Sequence, residues 1–171
     1  HAHERAGTTL GDTVLIMGSG PIGCLHVAVA RACGAARIFM SDVIPERLEL
    51  ARSFGPDEVI DATKEDVAAR VRELTEGLGP TIVVTANPSP QAPVDAVQMV
   101  AKGGRVILFG GLPHDNSAPG VDLNIVHYQN LDLIGLSRFA PRHFRKSLQM
   151  LASGRLPGEQ LVDCRNVLLA Q

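Results

Sequence analysis

Gly18, Ser19, Gly20, Pro21, Ile22 and Gly23 carry the spacing G-x-G-x-x-G, which lets bare backbone grip a phosphate. Gly18 permits a tight turn, Gly20 lets the main chain approach a pyrophosphate, and Gly23 lets a helix pack closely on the preceding strand. The pattern alone is weak, and its neighbours give it weight. Before it runs Thr13-Val14-Leu15-Ile16-Met17, a short apolar segment rich in β-formers. After it, Pro21 can open a helix at the position where a missing N–H costs nothing. A helix start there offers unpaired N–H groups and the positive end of its dipole to an anion. Asp42 stands nineteen residues after Gly23 and ends the next apolar segment. A carboxylate there can accept from both hydroxyls of an adenosine ribose and repel a 2′-phosphate, so NAD is expected over NADP. The alternative is an aspartate that caps a helix or forms a turn. Val43 follows it within the candidate cofactor-binding set. Arg47, about one helical turn further on, either lies along the adenosine or is a solvated helix residue.

The elements that must hold these residues alternate regularly. A helix is predicted from Pro21 to about Cys33, with Ile22, Leu25, Val29 and Cys33 as its sheet-facing side. Strands are predicted over residues 37–42, 58–61, 81–86, 105–109 and 131–136. Helices are predicted over residues 45–54, 65–75, 91–100 and 141–153. Strands separated by helices mean right-handed crossovers and a sheet covered on both faces. The expected architecture is a doubly wound, mainly parallel six-stranded sheet of the Rossmann type. Residues 111–130 break the rhythm with little helical pattern, and long loops of this kind are usually functional or partner-facing.

The 171 residues suit one domain. With 45% hydrophobic and 20% charged residues and a formal net charge of −2, the chain has the composition of an ordinary globular protein. No basic block points to nucleic acid or a membrane surface, and no apolar run reaches the roughly 18 residues of a membrane span. Cys24 and Cys33, nine residues apart on one predicted helix, would lie roughly 13 Å apart and cannot bridge. With Cys164 they read as small apolar side chains in a reducing compartment, and the cytoplasm is the expected location.

With the fingerprint, the acidic residue and the later strands in view, the chain resembles the medium-chain dehydrogenase/reductase family. The likeness is strongest to its zinc-dependent alcohol, polyol and threonine dehydrogenase branch. It is carried by GDTVLIMGSGPIG (residues 11–23), SDVIPERLELARSFG (residues 41–55), GGRVILFGGLP (residues 103–113) and LDLIGLS (residues 131–137). The resemblance implies hydride transfer between NAD and an alcohol or polyol. It implies that backbone at Phe109, Gly110 and Gly111 lies near the nicotinamide. Ser137 and Arg138 are implied to help hold the carboxamide, and Ala86 and Asn87 to border the cofactor. Pro88 stands where the family commonly has glycine, and it has no N–H to donate. The resemblance also implies that zinc in the parent enzyme is held on a separate catalytic domain. This chain shows no cysteine cluster or His/Cys/Glu set at ligand spacing, and no catalytic residue is assigned. Residues 1–10 are expected to be the remnant of a helix leading in from that domain. Residues 11–154 are expected to be the dinucleotide domain, and residues 155–171 a return toward the missing part. Such a piece is expected to bind cofactor without turnover.

Other residues read more plainly. His114-Asp115 is a solvated loop pair, His127-Tyr128 packs in a core or interface, and His26 is an ordinary helix-face residue. His1 and His3 suggest no site. Two other functional classes share the glycine turn: a stand-alone NAD-sensing module and an S-adenosylmethionine-dependent methyltransferase. A zinc-free quinone reductase is the runner-up among enzymes, and Asp42 argues against its usual NADPH preference. The apolar edge of the sixth strand invites pairing with a second copy, so a homodimer is expected.

Overall fold

A computed structural model describes residues 1–156. Thirteen helices and strands and one short 3₁₀ turn follow one another in it. They are α1 (Ala2–Arg5), β1 (Thr13–Met17), α2 (Pro21–Ala32), β2 (Arg37–Asp42), α3 (Pro45–Arg52), β3 (Glu58–Asp61) and α4 (Val67–Leu74). Then come β4 (Ile82–Thr85), α5 (Gln91–Met99), β5 (Arg105–Leu108), the 3₁₀ turn His114–Asn116, α6 (Leu123–Tyr128), β6 (Asp132–Gly135) and α7 (Pro141–Ala152). The six strands form one sheet in the order β3-β2-β1-β4-β5-β6, and each neighbouring pair is parallel. The expected doubly wound sheet is therefore present, and it is parallel throughout. The order reverses between β1 and β4, and beyond the carboxyl ends of those strands a parallel sheet opens its ligand crevice.

Alternation along the strands builds two cores. Val14 and Ile16 of β1 join Ile38, Met40, Ile82 and Val84 on one face, under α1 and α2. Leu15 and Met17 join Phe39, Ile60 and Val83 on the other, under α4 and α5. Neighbours two apart share a face because successive side chains point to opposite sides. Ala2 and Ala6 belong to the first core, so the residues ahead of β1 are packed into the same unit as the sheet.

Two sequence readings are corrected. The face of α2 turned to the sheet carries Gly23, Cys24, Val27 and Ala30, all buried, whereas Ile22 is 46% exposed and Leu25, Val29 and Cys33 are only half-buried. Small side chains let the helix axis sit close to the sheet, and that rolls the bulkier ones outward. Residues 111–130, expected to have little helical pattern, contain the 3₁₀ turn and α6. Asp122 caps α6 by accepting from Asn124 N–H at 2.8 Å.

Below the sheet's amino edge lies a network that the sequence did not announce. Asp12, 6% exposed, pairs with Arg105 Nη2 at 2.6 Å. The same carboxylate accepts from Thr81 Oγ1 at 2.7 Å and from Thr9 N–H at 2.9 Å. Arg105 Nη1 donates to the Ala6 carbonyl at 2.7 Å. Residues ahead of β1 and β4 and at the start of β5 are thereby tied to the end of α1.

Candidate functional site

The glycine turn has the geometry its spacing requires. Gly18 adopts φ +115, and a Cβ there would stand 2.7 Å from the Ala86 carbonyl oxygen. A Cβ on Gly23 would fall 2.0 Å from the Gly18 carbonyl oxygen. These two glycines are thus demanded by the protein's own backbone. Gly20 differs, since a Cβ there would meet nothing within 4 Å, with φ −66 well inside ordinary backbone space. What Gly20 leaves open is the cleft itself.

That cleft, about 850 Å³, lies over the switch between β1 and β4. Gly18, Gly20, Asp42, Val43, Arg47, Ala86 and Asn87 all line it. The amide N–H groups of a helix's first turn have no partner within the helix, so the start of α2 adds donors and positive dipole beside Gly20. Asn87 is locked in place: its Nδ2 donates to the Met17 carbonyl at 2.9 Å, and its Oδ1 accepts from Ser89 N–H at 2.9 Å. Gly110 backs it so closely that a Cβ would stand 2.3 Å from the Asn87 carbonyl oxygen.

Asp42 turns the chain at the end of β2 and also lines the cleft. Its Oδ1 accepts from Val43 N–H at 2.7 Å and Ile44 N–H at 3.1 Å. Its Oδ2 accepts from Ser19 N–H at 2.6 Å and Ser19 Oγ–H at 2.8 Å. Ser19, 2% exposed, does not line the cleft but braces the carboxylate from behind. Pro21, Ile22 and Gly23 open α2 and also stay out of the cleft's lining. Phe109 sits over His26, ring centroids 4.5 Å apart and edge to face, while Gly111 is exposed. Ser137 and Arg138 are exposed on the loop after β6, with Arg138 in left-handed backbone at φ 58. The cleft therefore gathers the turn, Asp42 and the end of β4, whereas residues 109–111 and 137–138 lie outside its walls.

Several lining residues escaped the sequence reading. Ala62, Glu65 and Asp66 come from the β3–α4 connection, and Ser89, Asp95 and Gln98 from the β4–α5 region. Asp66 had a local signal as the cap of α4, accepting from Ala69 N–H at 2.9 Å. The others carry no motif.

The histidine reading is also corrected. His26 and His3 are both buried, with His3 Nε2 3.0 Å from His26 Nδ1 and His3 Nδ1 3.0 Å from Thr8 Oγ1. Burial pushes His26 down to about 3, helped by His3, and pushes His3 down to about 4. His127 and Tyr128 are exposed on α6, their rings meeting edge to face at 4.8 Å, and they are not core. His114 and Asp115 are exposed, as expected. The buried pair has a consequence for stability. Folded pKa values below the unfolded one mean that the unfolded chain takes up protons first as pH falls. The pair's contribution is complete above about pH 6.5 and drains as pH drops toward 4. Chemical denaturation should show about 2–4 kcal/mol lost between pH 7 and 5. A double variant, His3→Gln with His26→Gln, should flatten that slope; equal slopes in both proteins would show that other groups set it.

Among the described residues no group of three or more His, Cys, Asp or Glu side chains converges as a metal site. The described residues thus do not fit a zinc ion.

Against known proteins, residues 21–153 match the family of zinc-binding dehydrogenases. A sorbitol dehydrogenase of Bacillus subtilis is 32% identical over 162 residues, 95% of this chain and 45% of that protein. An L-threonine 3-dehydrogenase of Sinorhizobium medicae is 37% identical over 162 residues, 91% of this chain and 44% of its own length. The alcohol dehydrogenase TADH of Thermus sp. ATN1 superposes with a TM-score of 0.81 at 32% identity, over 91% of this chain and 44% of that one. The chain spans just under half the length of each of these relatives. By fold, glycine turn and family match, the chain belongs to the zinc-binding dehydrogenases, the zinc-type branch of the medium-chain dehydrogenase/reductases, and forms their cofactor-binding domain.

Proposed function

We propose that this domain binds NAD, in preference to NADP, for an enzyme that moves hydride between an alcohol or polyol and the nicotinamide. The observation that carries the reading is the contrast among three glycines. Gly18 and Gly23 are closed by the protein's own backbone, whereas Gly20 opens on a cleft that Asp42 also lines. Gly20 and the first turn of α2 would hold the pyrophosphate. Asp42 would face the adenosine ribose, with Val43 and Arg47 beside it. Asn87, Ala86, residues 109–111 and the Ser137–Arg138 backbone would lie toward the nicotinamide. When bound, the nicotinamide supplies the hydride acceptor. The domain's own part is to hold and aim it.

The relatives' names favour an alcohol or polyol over the methyltransferase and sensing alternatives. The remaining half of the enzyme would carry the zinc and the substrate pocket, so this chain alone should bind without turnover. Phe144, Leu148 and Leu151 form an exposed apolar row on α7, a face suited to that half. β6 has β5 as its one strand neighbour in the described sheet, and its edge is the proposed homodimer seam. We place the enzyme in the cytoplasm, where its cysteines stay reduced.

Asp42→Asn removes the charge at nearly constant shape and tests the cofactor preference. NAD binding should weaken about tenfold, the worth of one hydrogen bond to a charged group. NADP binding should hold or improve. An unchanged ratio of the two affinities would remove Asp42 from the selectivity argument.

A further inference from the structure

With the adenosine at Asp42, the nicotinamide half of a bound dinucleotide must run across the sheet the other way. Asp42 ends β2 and the glycine turn follows β1, while β4, β5 and β6 continue the sheet on the far side. At about 4.8 Å between neighbouring strands, the loop after β6 lies roughly 14 Å from the glycine turn on that side. Arg138 in this loop takes left-handed backbone at φ 58, which non-glycine residues keep only where their surroundings enforce it. Two histidines do so. His1 Nδ1 donates to the Arg138 carbonyl at 3.0 Å, and His143 Nδ1 accepts from Ala140 N–H at 2.9 Å. The two rings stack, with centroids 4.1 Å apart and planes 15° from parallel. His143 is the buried side chain of α7, 7% exposed. Because its Nδ1 accepts, the neutral ring carries its proton on Nε2. Nε2 has no hydrogen-bond partner among the described residues. It stands 3.6 Å from Glu4 Oε2, in a carboxylate whose other oxygen pairs with Lys146 Nζ at 2.5 Å. The ring's placement is therefore set by its stack and by what Nδ1 holds.

We propose that His143 is a positioning residue for the nicotinamide end of the cofactor, its Nδ1 locking residues 137–140 in the shape that meets the carboxamide. The proposal rests on the dinucleotide reading above and deepens it. Ser137 and Arg138 are exposed, and a loop that must be ordered at the moment of binding gives up affinity. Pro141 opens α7 and has no N–H, so Ala140 N–H is the last donor by which the loop can be fixed before the helix. While His143 accepts from it, the loop waits in one conformation. Without that acceptor, Arg138 relaxes out of left-handed backbone, and the loop has to be ordered again for each ligand. His143 acts through the loop and does not itself reach the ligand. The adenosine and pyrophosphate contacts, at the ends of β1 and β2, do not depend on it.

The test is calorimetric titration of the chain and its variants with NAD and with ADP-ribose, which lacks only the nicotinamide. His143→Phe keeps the ring's volume and its stack on His1 and removes the acceptor. NAD should bind this variant about fivefold more weakly, the worth of one hydrogen bond, while ADP-ribose binds within about twofold of the parent. His143→Asn, whose Oδ1 falls near the place of Nδ1, should restore the parent's ratio of NAD to ADP-ribose affinity. His143→Leu carries the phenylalanine expectation should that variant not fold. A role confined to capping α7 would lower the unfolding midpoint and move both affinities together or neither, and either result would overturn the proposal. An asparagine variant that behaved like phenylalanine would do the same. A parent chain that bound NAD no more tightly than ADP-ribose would overturn it too, while leaving the cleft reading intact. A parent that bound neither would remove the dinucleotide reading itself, and this inference with it.

Discussion

Replacing Arg105 with methionine is expected to lower the stability of the domain by about 3–5 kcal/mol while leaving the nucleotide affinity of the folded protein unchanged. The cost follows from what the guanidinium touches. Without it, Asp12 stays 6% exposed with only Thr81 Oγ1 and Thr9 N–H to satisfy its charge. The Ala6 carbonyl also loses its 2.7 Å donor. A buried charge stripped of its partner is far costlier than the pair is stabilising. Arg105 is itself 21% exposed in its side chain, so water recovers part of the loss and the lower end of the range is expected. For a domain of this size the unfolding midpoint should fall by roughly 6–12 °C. The second half of the expectation is geometric, because the network sits at the amino ends of the strands and the cleft opens at their carboxyl ends. A cycle adding Asp12→Asn should recover part of the loss, since the charge left behind is then gone. Full additivity of the two substitutions, or a nucleotide affinity that falls in step with stability, would contradict this account.

The larger effect on function is expected from two substitutions of one chemical kind. Gly23→Ala places a Cβ 2.0 Å from the Gly18 carbonyl oxygen, a backbone atom with no side chain to yield. Either α2 retreats or the turn opens, at a cost of about 3 kcal/mol, and the phosphate grip is lost with the turn. Gly20→Ala meets nothing within 4 Å and needs no unusual backbone angle. Its stability should match the parent within about 0.5 kcal/mol, or rise slightly because the unfolded chain is less free. Yet its methyl group stands where the pyrophosphate would approach, so NAD affinity should fall by more than about tenfold. Thermal unfolding read beside calorimetric titration separates the two: one variant loses fold and binding together, the other binding alone. A Gly20→Ala protein that bound NAD as well as the parent would mean that the ligand sits elsewhere in the cleft.

The contrast between those glycines also marks what the sequence could reveal. The turn was legible because its demands are local: a strand, three glycines and an opening proline lie within a dozen residues. The sheet was legible for a similar reason, since Val14 to Met17 and Ile82 to Val84 are apolar on both faces and read as strands covered on both sides. The roll of α2 was not legible. Ile22, Leu25, Val29 and Cys33 form a plausible apolar stripe, and the contact that overrides it is made by Gly23 against Gly18, where a missing side chain decides the orientation. His26 was misread because its partner His3 lies 23 residues away on α1, and a histidine on a helix gives no sign of burial by itself. The network of Asp12 and Arg105 spans 93 residues and follows from strand order, which no local pattern encodes. The cleft walls at Ala62, Glu65 and Asp95 likewise come from separate crossovers that only the sheet brings together.

The central claim is that this domain is built to hold NAD through the glycine turn and Asp42. Its most direct test is calorimetric titration of the chain with NAD and, separately, with NADP. The account predicts saturable binding of NAD, with NADP weaker by about tenfold or more, the effect of a carboxylate set against a 2′-phosphate. Equal or tighter binding of NADP would contradict the role given to Asp42, and binding of neither would contradict the claim itself.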